Sequence, residues 1–206
     1  RAICQLGICA FRCGLLTEAH HLLSEICSSG RVRDLLAQGF SRHVEKTKAE
    51  RSRQILFHKY INLDLLEGVH LISAMILEVP NMAQKSFAKR KTISKSLRRA
   101  LEYYDRQVFF GPPETTKETI IVAAKSLMVG DWQSCYKHLT ALEDMWSLMV
   151  NSEQVKAMLL ERIKVEAMRT YLFSYGHHYD TVAVNHLSSM FGLEERLVHG
   201  IVSKMM

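Results

Sequence analysis

The sequence predicts an all-α protein, and three observations carry that expectation. Three prolines and ten glycines interrupt a 206-residue chain rich in alanine, leucine, methionine and lysine. No long run alternates polar with apolar side chains, as half-buried strands would require. Hydrophobic residues make up 48% of the chain, ample for a real core and far from the composition of a disordered segment.

A periodic stretch lies between Ser152 and Glu166, where Val155, Met158, Leu159 and Ile163 share one helical face. Through Ala167, Met168, Tyr171, Leu172, Phe173 and Tyr175, apolar side chains then point in nearly every direction. A helix tolerates this when covered on more than one side, so the segment reads as a buried connector. It feeds two shorter helices joined at Gly192. Leu187, Met190, Phe191 and Leu193 supply an apolar cluster at that turn, and Val198, Ile201, Val202 and Met205 form the inward stripe of the last helix. The expected division is a helical bundle over 1–175 followed by a helix-turn-helix over 176–206.

From the amino end, Ala2 to Phe11 reads as a helix, Gly14 and Leu15 as a turn, and Thr17 as the cap of a second helix to about Ser28. The pattern Leu6, Gly7, Ala10, Gly14, Ala19, Leu23, Ile26 resembles a tetratricopeptide-type hairpin, whose small residues let antiparallel helices approach. Ala123, Ser126, Leu127, Gly130, Cys135, Leu139 and Leu142 repeat the spacing of Gly7, Ala10, Phe11, Gly14, Ala19, Leu23 and Ile26. Both stretches read as helical hairpins, the architecture of repeat arrays.

Between the hairpins, Arg31 to Gln38 predicts a short helix closed by Gly39. The mixed charges of Glu45 to Arg53 predict a solvated segment. Asn62 caps an apolar helix through Leu66, Val69, Ile72, Met75 and Ile76, stopped at Pro80. Gly111, Pro112, Pro113 and Glu114 form a turn into the next helix, with proline where its missing N–H costs nothing. Gly130, Asp131 and Trp132 turn that helix into a partner ending near Trp146, the aromatics serving as core anchors.

The formal net charge is +6. Val79 to Leu101 holds no acidic residue, and Lys91, Lys95, Arg98 and Arg99 recur on one helical face, opposite Ile93, Leu97, Ala100, Leu101 and Tyr104. Such a ridge is either a solvated face or a contact for phosphates.

Enzyme, metal and cofactor chemistry are not expected. Cys9 and Cys13 lie one turn apart near His20 and His21, but no second pair has ligand spacing, and five cysteines at helical spacing suit reduced thiols. His58 and His70 read as singletons. His177 and His178 stand beside no partnered nucleophile. No apolar stretch reaches the roughly eighteen residues of a membrane span. Arg1 opens inside an apparent helix, so the chain reads as an internal stretch.

The runs NLDLLEGVHLISAMILEVPNMA from Asn62, GPPE at Gly111, GDW at Gly130, RTYLFSY from Arg169 and LSSMFGLEERLVHGIVSKM from Leu187 closely resemble the c subunits of eukaryotic translation initiation factor three. More broadly, they are similar to the PCI domains of proteasome-lid, signalosome and initiation-factor scaffolds. The resemblance implies a helical-repeat array ending in a winged helix, truncated here before most of its wing. It implies a non-catalytic, cytoplasmic scaffold that assembles with other PCI subunits through Leu187 to Met205 and binds the small ribosomal subunit. The alternatives are a proteasome-lid or signalosome scaffold, or a nucleic-acid reader. The last is disfavoured because Glu194 and Glu195 would open its recognition helix against phosphates.

Overall fold

The computed structural model describes residues 1–28, 30–36, 38, 59–84, 92–107 and 111–205, and every regular element among them is helical. They form two compact units, Arg1–Ser73 and Ala74–Met206.

In the first unit, α1 (Ala2–Arg12) and α2 (Leu16–Cys27) pair as a hairpin. Gly14, at φ 80°, closes α1: its N–H donates to the Phe11 carbonyl at 3.0 Å, and that of Leu15 to Ala10 at 2.9 Å. The left-handed conformation selects glycine here. Gly7 lets the helices close, since a Cβ there would lie 2.6 Å from Leu23 Cδ2 and 2.7 Å from Cγ. Cys4, Phe11, Ala19 and Leu23 fill the seam, whereas Leu6 faces solvent, 58% exposed, against the expected pattern. Thr17 does not cap α2. The cap is Leu15, which offers no side-chain acceptor, and Thr17 lies inside the first turn.

The third helix is shorter than expected. α3 covers Val32–Leu35 only, and the backbone turns at Leu36, whose carbonyl accepts from the Arg1 guanidinium. Gly39, the charged run Glu45 to Arg53, and His58 lie outside the described residues.

α4 (Leu63–Gln84) begins as expected. Asn62 Oδ1 accepts from the N–H groups of Asp64 at 2.8 Å and Leu65 at 3.1 Å. Leu66, Val69, Ile72 and Met75 are buried, each burial stabilising by about 1.5–3 kcal/mol. Pro80 does not stop the helix, which continues through it to Gln84. A mid-helix proline costs about 3 kcal/mol, and burial of Ile76, Val79 and Pro80 itself offsets that cost. In the first unit, His70 of α4 is buried and stacks on buried His20 with ring centroids 5.4 Å apart. Burial, and then the neighbouring imidazole, lower the His70 pKa to about 4. Burial likewise raises Cys27 to about 11, with Glu67 adding to it, while Cys9 and Cys13 are exposed.

In the second unit, the end of α4 is followed by α5 (Lys95–Arg106), α6 (Thr116–Val129) and α7 (Trp132–Thr140). Then come α8 (Glu143–Ser147), α9 (Ser152–Tyr175), a 3-10 turn at Gly176–His178, α10 (Val184–Phe191) and α11 (Glu195–Met205). A variant of the capping box opens α6: Thr115 Oγ1 accepts from Glu118 N–H at 3.2 Å, and the Glu118 carboxylate accepts at 3.1 Å from the N–H of Glu114, one residue before the cap. Pro112 and Pro113 lie in the exposed loop before this box, not in the first helical turn.

α6 and α7 form the second hairpin. Gly130, at φ 91°, donates to Leu127, and Asp131 N–H donates to Ser126, both at 3.0 Å. Asp131 Oδ1 accepts from Ser134 N–H at 3.1 Å, and the Ser134 side chain, followed by this backbone contact, lowers the Asp131 pKa. Trp146 belongs to the separate helix α8, and its buried indole N–H donates to the Leu139 carbonyl at 2.7 Å. α9 packs against α6, α7 and α10. Val155, Leu159, Ile163, Ala167 and Met168 are buried, and every residue from Tyr171 to Tyr175 is half-buried, the covering its all-round apolar pattern required.

Candidate functional site

Two surfaces carry the residues singled out from the sequence, and both lie in the second unit. The first is the basic helix α5. Its N-terminus gathers Lys95, Arg98 and Arg99, an arrangement the helix macrodipole opposes. The opposition is met internally by Glu78 of α4, whose side chain is fully buried. Glu78 Oε2 accepts from the N–H groups of Ile93 at 2.8 Å and Ser94 at 3.0 Å, and Oε1 is paired with Arg98 Nε. Ser94 completes the cap by accepting from Leu97 N–H at 3.4 Å. A carboxylate therefore already holds the anion position that a helix N-terminus provides.

This arrangement gives one residue of the expected ridge, Arg98, an internal partner. Lys91 lies outside the described residues, and α5 begins only at Lys95. Arg98 turns inward to Glu78, a partner twenty positions back that helical periodicity cannot reveal. Lys95 and Arg99 remain exposed, while Leu97, Ala100 and Leu101 are buried as expected. Ile93 precedes the helix and is 42% exposed rather than part of the inward stripe. Tyr104 is half-buried beneath Lys125, whose Nζ lies 4.1 Å from the ring centroid and 2.6 Å from Asp105.

The second surface is the terminal pair, α10 and α11. Gly192, at φ 59°, makes the left-handed turn between them, and Leu193 N–H returns to the Ser188 carbonyl at 3.1 Å. Leu187, Phe191, Leu193, Val198 and Ile201 are buried, and Val202 and Met205 half-buried. Met190 departs from the expected cluster. The eight-residue α10 buries the positions four apart, Leu187 and Phe191, and leaves Met190 36% exposed on its flank.

The pair is joined to the rest of its unit around Tyr171. Phe191 meets the Tyr171 ring edge-on at 5.9 Å, and Tyr179 shares a 2.5 Å hydroxyl contact with Tyr171. A Cβ on Gly130 would lie 3.1 Å from Tyr171 Cβ, so the second hairpin turn fits this residue closely. Trp132, expected as a core anchor, is half-buried, and its indole N–H donates to the Met190 carbonyl at 3.2 Å. Lys164 donates to the Gly192 carbonyl at 3.4 Å and to Glu161 at 2.9 Å. Sequence patterns did not indicate Glu78, Trp132 or Lys164 for these roles, because each acts on a partner remote in the chain.

His177 and His178 lie in the exposed 3-10 turn with ring centroids 3.9 Å apart. Among the described residues no group of three or more His, Cys, Asp or Glu side chains is placed to hold a metal, and no helix is long and apolar enough to cross a membrane.

Residues 1–89 match the family model described as "Eukaryotic translation initiation factor 3 subunit 8 N-terminus". Across its full length the chain is 48% identical to the C subunit of eukaryotic translation initiation factor 3 from Coccidioides immitis. It is 47% identical to that of Aspergillus clavatus and 45% identical to that of Yarrowia lipolytica, again over the whole chain. It spans 25% of the length of each of these relatives.

Proposed function

The chain belongs to the family formed by the C subunits of eukaryotic translation initiation factor 3, and from that premise we propose that it is part of a non-catalytic, cytoplasmic scaffold subunit that binds the small ribosomal subunit during initiation. The observation that carries this reading is identity extending across the whole chain, terminal helix pair included, rather than along one motif. In this reading, residues 1–175 are a helical-repeat bundle and residues 176–206 begin the winged helix of a PCI domain. The shared turn of the two hairpins supports the repeat, and the α10–Gly192–α11 turn supports the helix-turn-helix.

The terminal pair is the proposed contact to sister subunits of the initiation factor. Leu187, Phe191, Val198 and Ile201 hold it together, so its exposed side chains, Met190 and Leu197 among them, are what a partner meets. Truncation at Gly176 in the full-length subunit tests this by co-purification. Loss of sister subunits is expected, and unchanged assembly refutes the assignment.

Lys95 and Arg99, with Lys91 preceding them in sequence, are the proposed contacts to ribosomal RNA or protein. Arg98, paired with Glu78, is left out of this proposal. Charge reversal at Lys95 and Arg99 should weaken binding of the assembled factor to the small subunit and lower the salt slope by roughly 0.7–0.9 for each phosphate no longer neutralised. Normal binding across a salt titration leaves these residues as a solvated face.

A further inference from the structure

The turn between α10 and α11 is held in two chemically different ways. Its apolar side rests Phe191 against Tyr171, a contact that resists separation but, being non-directional, fixes rotation poorly. Its polar side is held by two donors from other elements: the Trp132 indole at the start of α7 reaches the Met190 carbonyl, and Lys164 of α9 reaches the Gly192 carbonyl. A helix C-terminus leaves carbonyls without intrahelical donors, and a cation there also opposes the negative end of the macrodipole. Lys164 is well placed for this. Its side chain is 14% exposed, Glu161 holds its ammonium at 2.9 Å, and Nζ lies 5.5 Å from the Trp132 ring centroid.

We infer that Trp132 and Lys164 are positioning residues that fix the orientation in which the terminal helix pair is presented to a partner subunit. The inference rests on the proposed assembly role of that pair and adds what directs it. The two donors come from different helices and act on carbonyls two residues apart, so together they define a rotation that the Tyr171 contact leaves loose. The exposed Met190 lies directly at this bracket, and Leu197 follows on α11. Removing the donors should turn these side chains without unfolding the helices that bear them.

The test uses the full-length subunit with Trp132→Phe, which keeps a ring but loses the N–H, and Lys164→Met, which keeps the stem but loses the charge. Lys164→Arg serves as the conservative rescue. Affinity for the sister subunits, amide exchange and melting temperature are measured together. The double variant should bind roughly tenfold more weakly, the scale of losing a hydrogen bond to a charged group. Exchange at Leu193 should quicken while protection through α6 and α9 and the melting temperature hold, and Lys164→Arg should bind like the parent. Affinity within twofold of the parent overturns the inference when truncation at Gly176 abolishes assembly. Lost protection through α6 and α9 also overturns it, because the residues would then be general supports. If truncation leaves assembly intact, the assembly reading itself fails, and unchanged exchange at Leu193 removes the positioning role as well.

Discussion

The two helical hairpins, α1–α2 and α6–α7, use the same turn at positions 116 residues apart and stabilise it differently. Gly14 and Gly130 both take the left-handed conformation, at φ 80° and 91°, and both donate to the carbonyl three residues back. Phe11, Ala19 and Leu23 are buried at the first seam, and Leu127, Cys135 and Leu139 at the corresponding positions of the second. The surroundings diverge. Gly7 opens the first seam to Leu23 where the second carries Ala123, and Leu15 caps α2 without a side-chain acceptor where Asp131 caps α7 with one. His20, stacked on His70, stands where the second hairpin has the half-buried Tyr136. A shared turn therefore specifies the hairpin, while its resistance to mutation and acid depends on what each hairpin meets.

The strongest way to break the second hairpin is Gly130→Ala. The left-handed backbone costs a side chain about 1–2 kcal/mol, and the new Cβ presses on Tyr171. A loss of about 2–4 kcal/mol is expected in urea unfolding. A loss below about 1 kcal/mol would show that Tyr171 yields freely.

Acid should break the first hairpin in preference. The folded-state pKa of His70 is lowered to about 4, so the unfolded chain takes up its proton first and stability falls as pH drops from about 6.5 toward 4. The loss is on the order of 2–3 kcal/mol when that window has been crossed. Amide exchange at pH 7 and pH 4.5 should show α2 losing protection before α7, and His70→Phe should abolish the difference. Equal loss in both hairpins counts against the imidazole pair.

Gly7→Ala probes the seam itself. Helix propensity favours the alanine by about 1 kcal/mol, but overpacking against Leu23 costs about 1–3, so a net destabilisation of about 1 kcal/mol is expected. The double variant with Leu23→Ala should show favourable coupling of at least about 0.5 kcal/mol. Additive losses would mean the two residues do not compete for space.

The smallest effects are at the caps. Asp131→Ala should lower the melting temperature through a loss of about 1 kcal/mol, and Leu15→Asp should recover a few tenths to about 1 kcal/mol in α2. Leu15 and Asp131 have similar backbones, φ −84° ψ 70° and φ −82° ψ 90°, so the exchange tests the side-chain acceptor. A neutral Asp131→Ala makes the Ser134 contact energetically idle.

Local rules reached the features that depend on a few neighbouring residues. The Asn62 cap, the turns at Gly14, Gly130 and Gly192, the stripe Leu66, Val69, Ile72 and Met75, and the extent of α9 from Ser152 to Tyr175 all follow from spacing within one or two helical turns. Tertiary structure decided the rest. Pro80 continues a helix because its neighbours are buried, and Arg98 leaves the basic ridge for a carboxylate twenty residues away. Trp132 serves as a clamp because Met190, 58 positions on, presents a carbonyl to it. A side chain's preferred partner within its own helix is visible as periodicity, but a buried charge or an open helix end accepts whichever donor the folded chain brings within about 3 Å. That choice is made only when the helices meet.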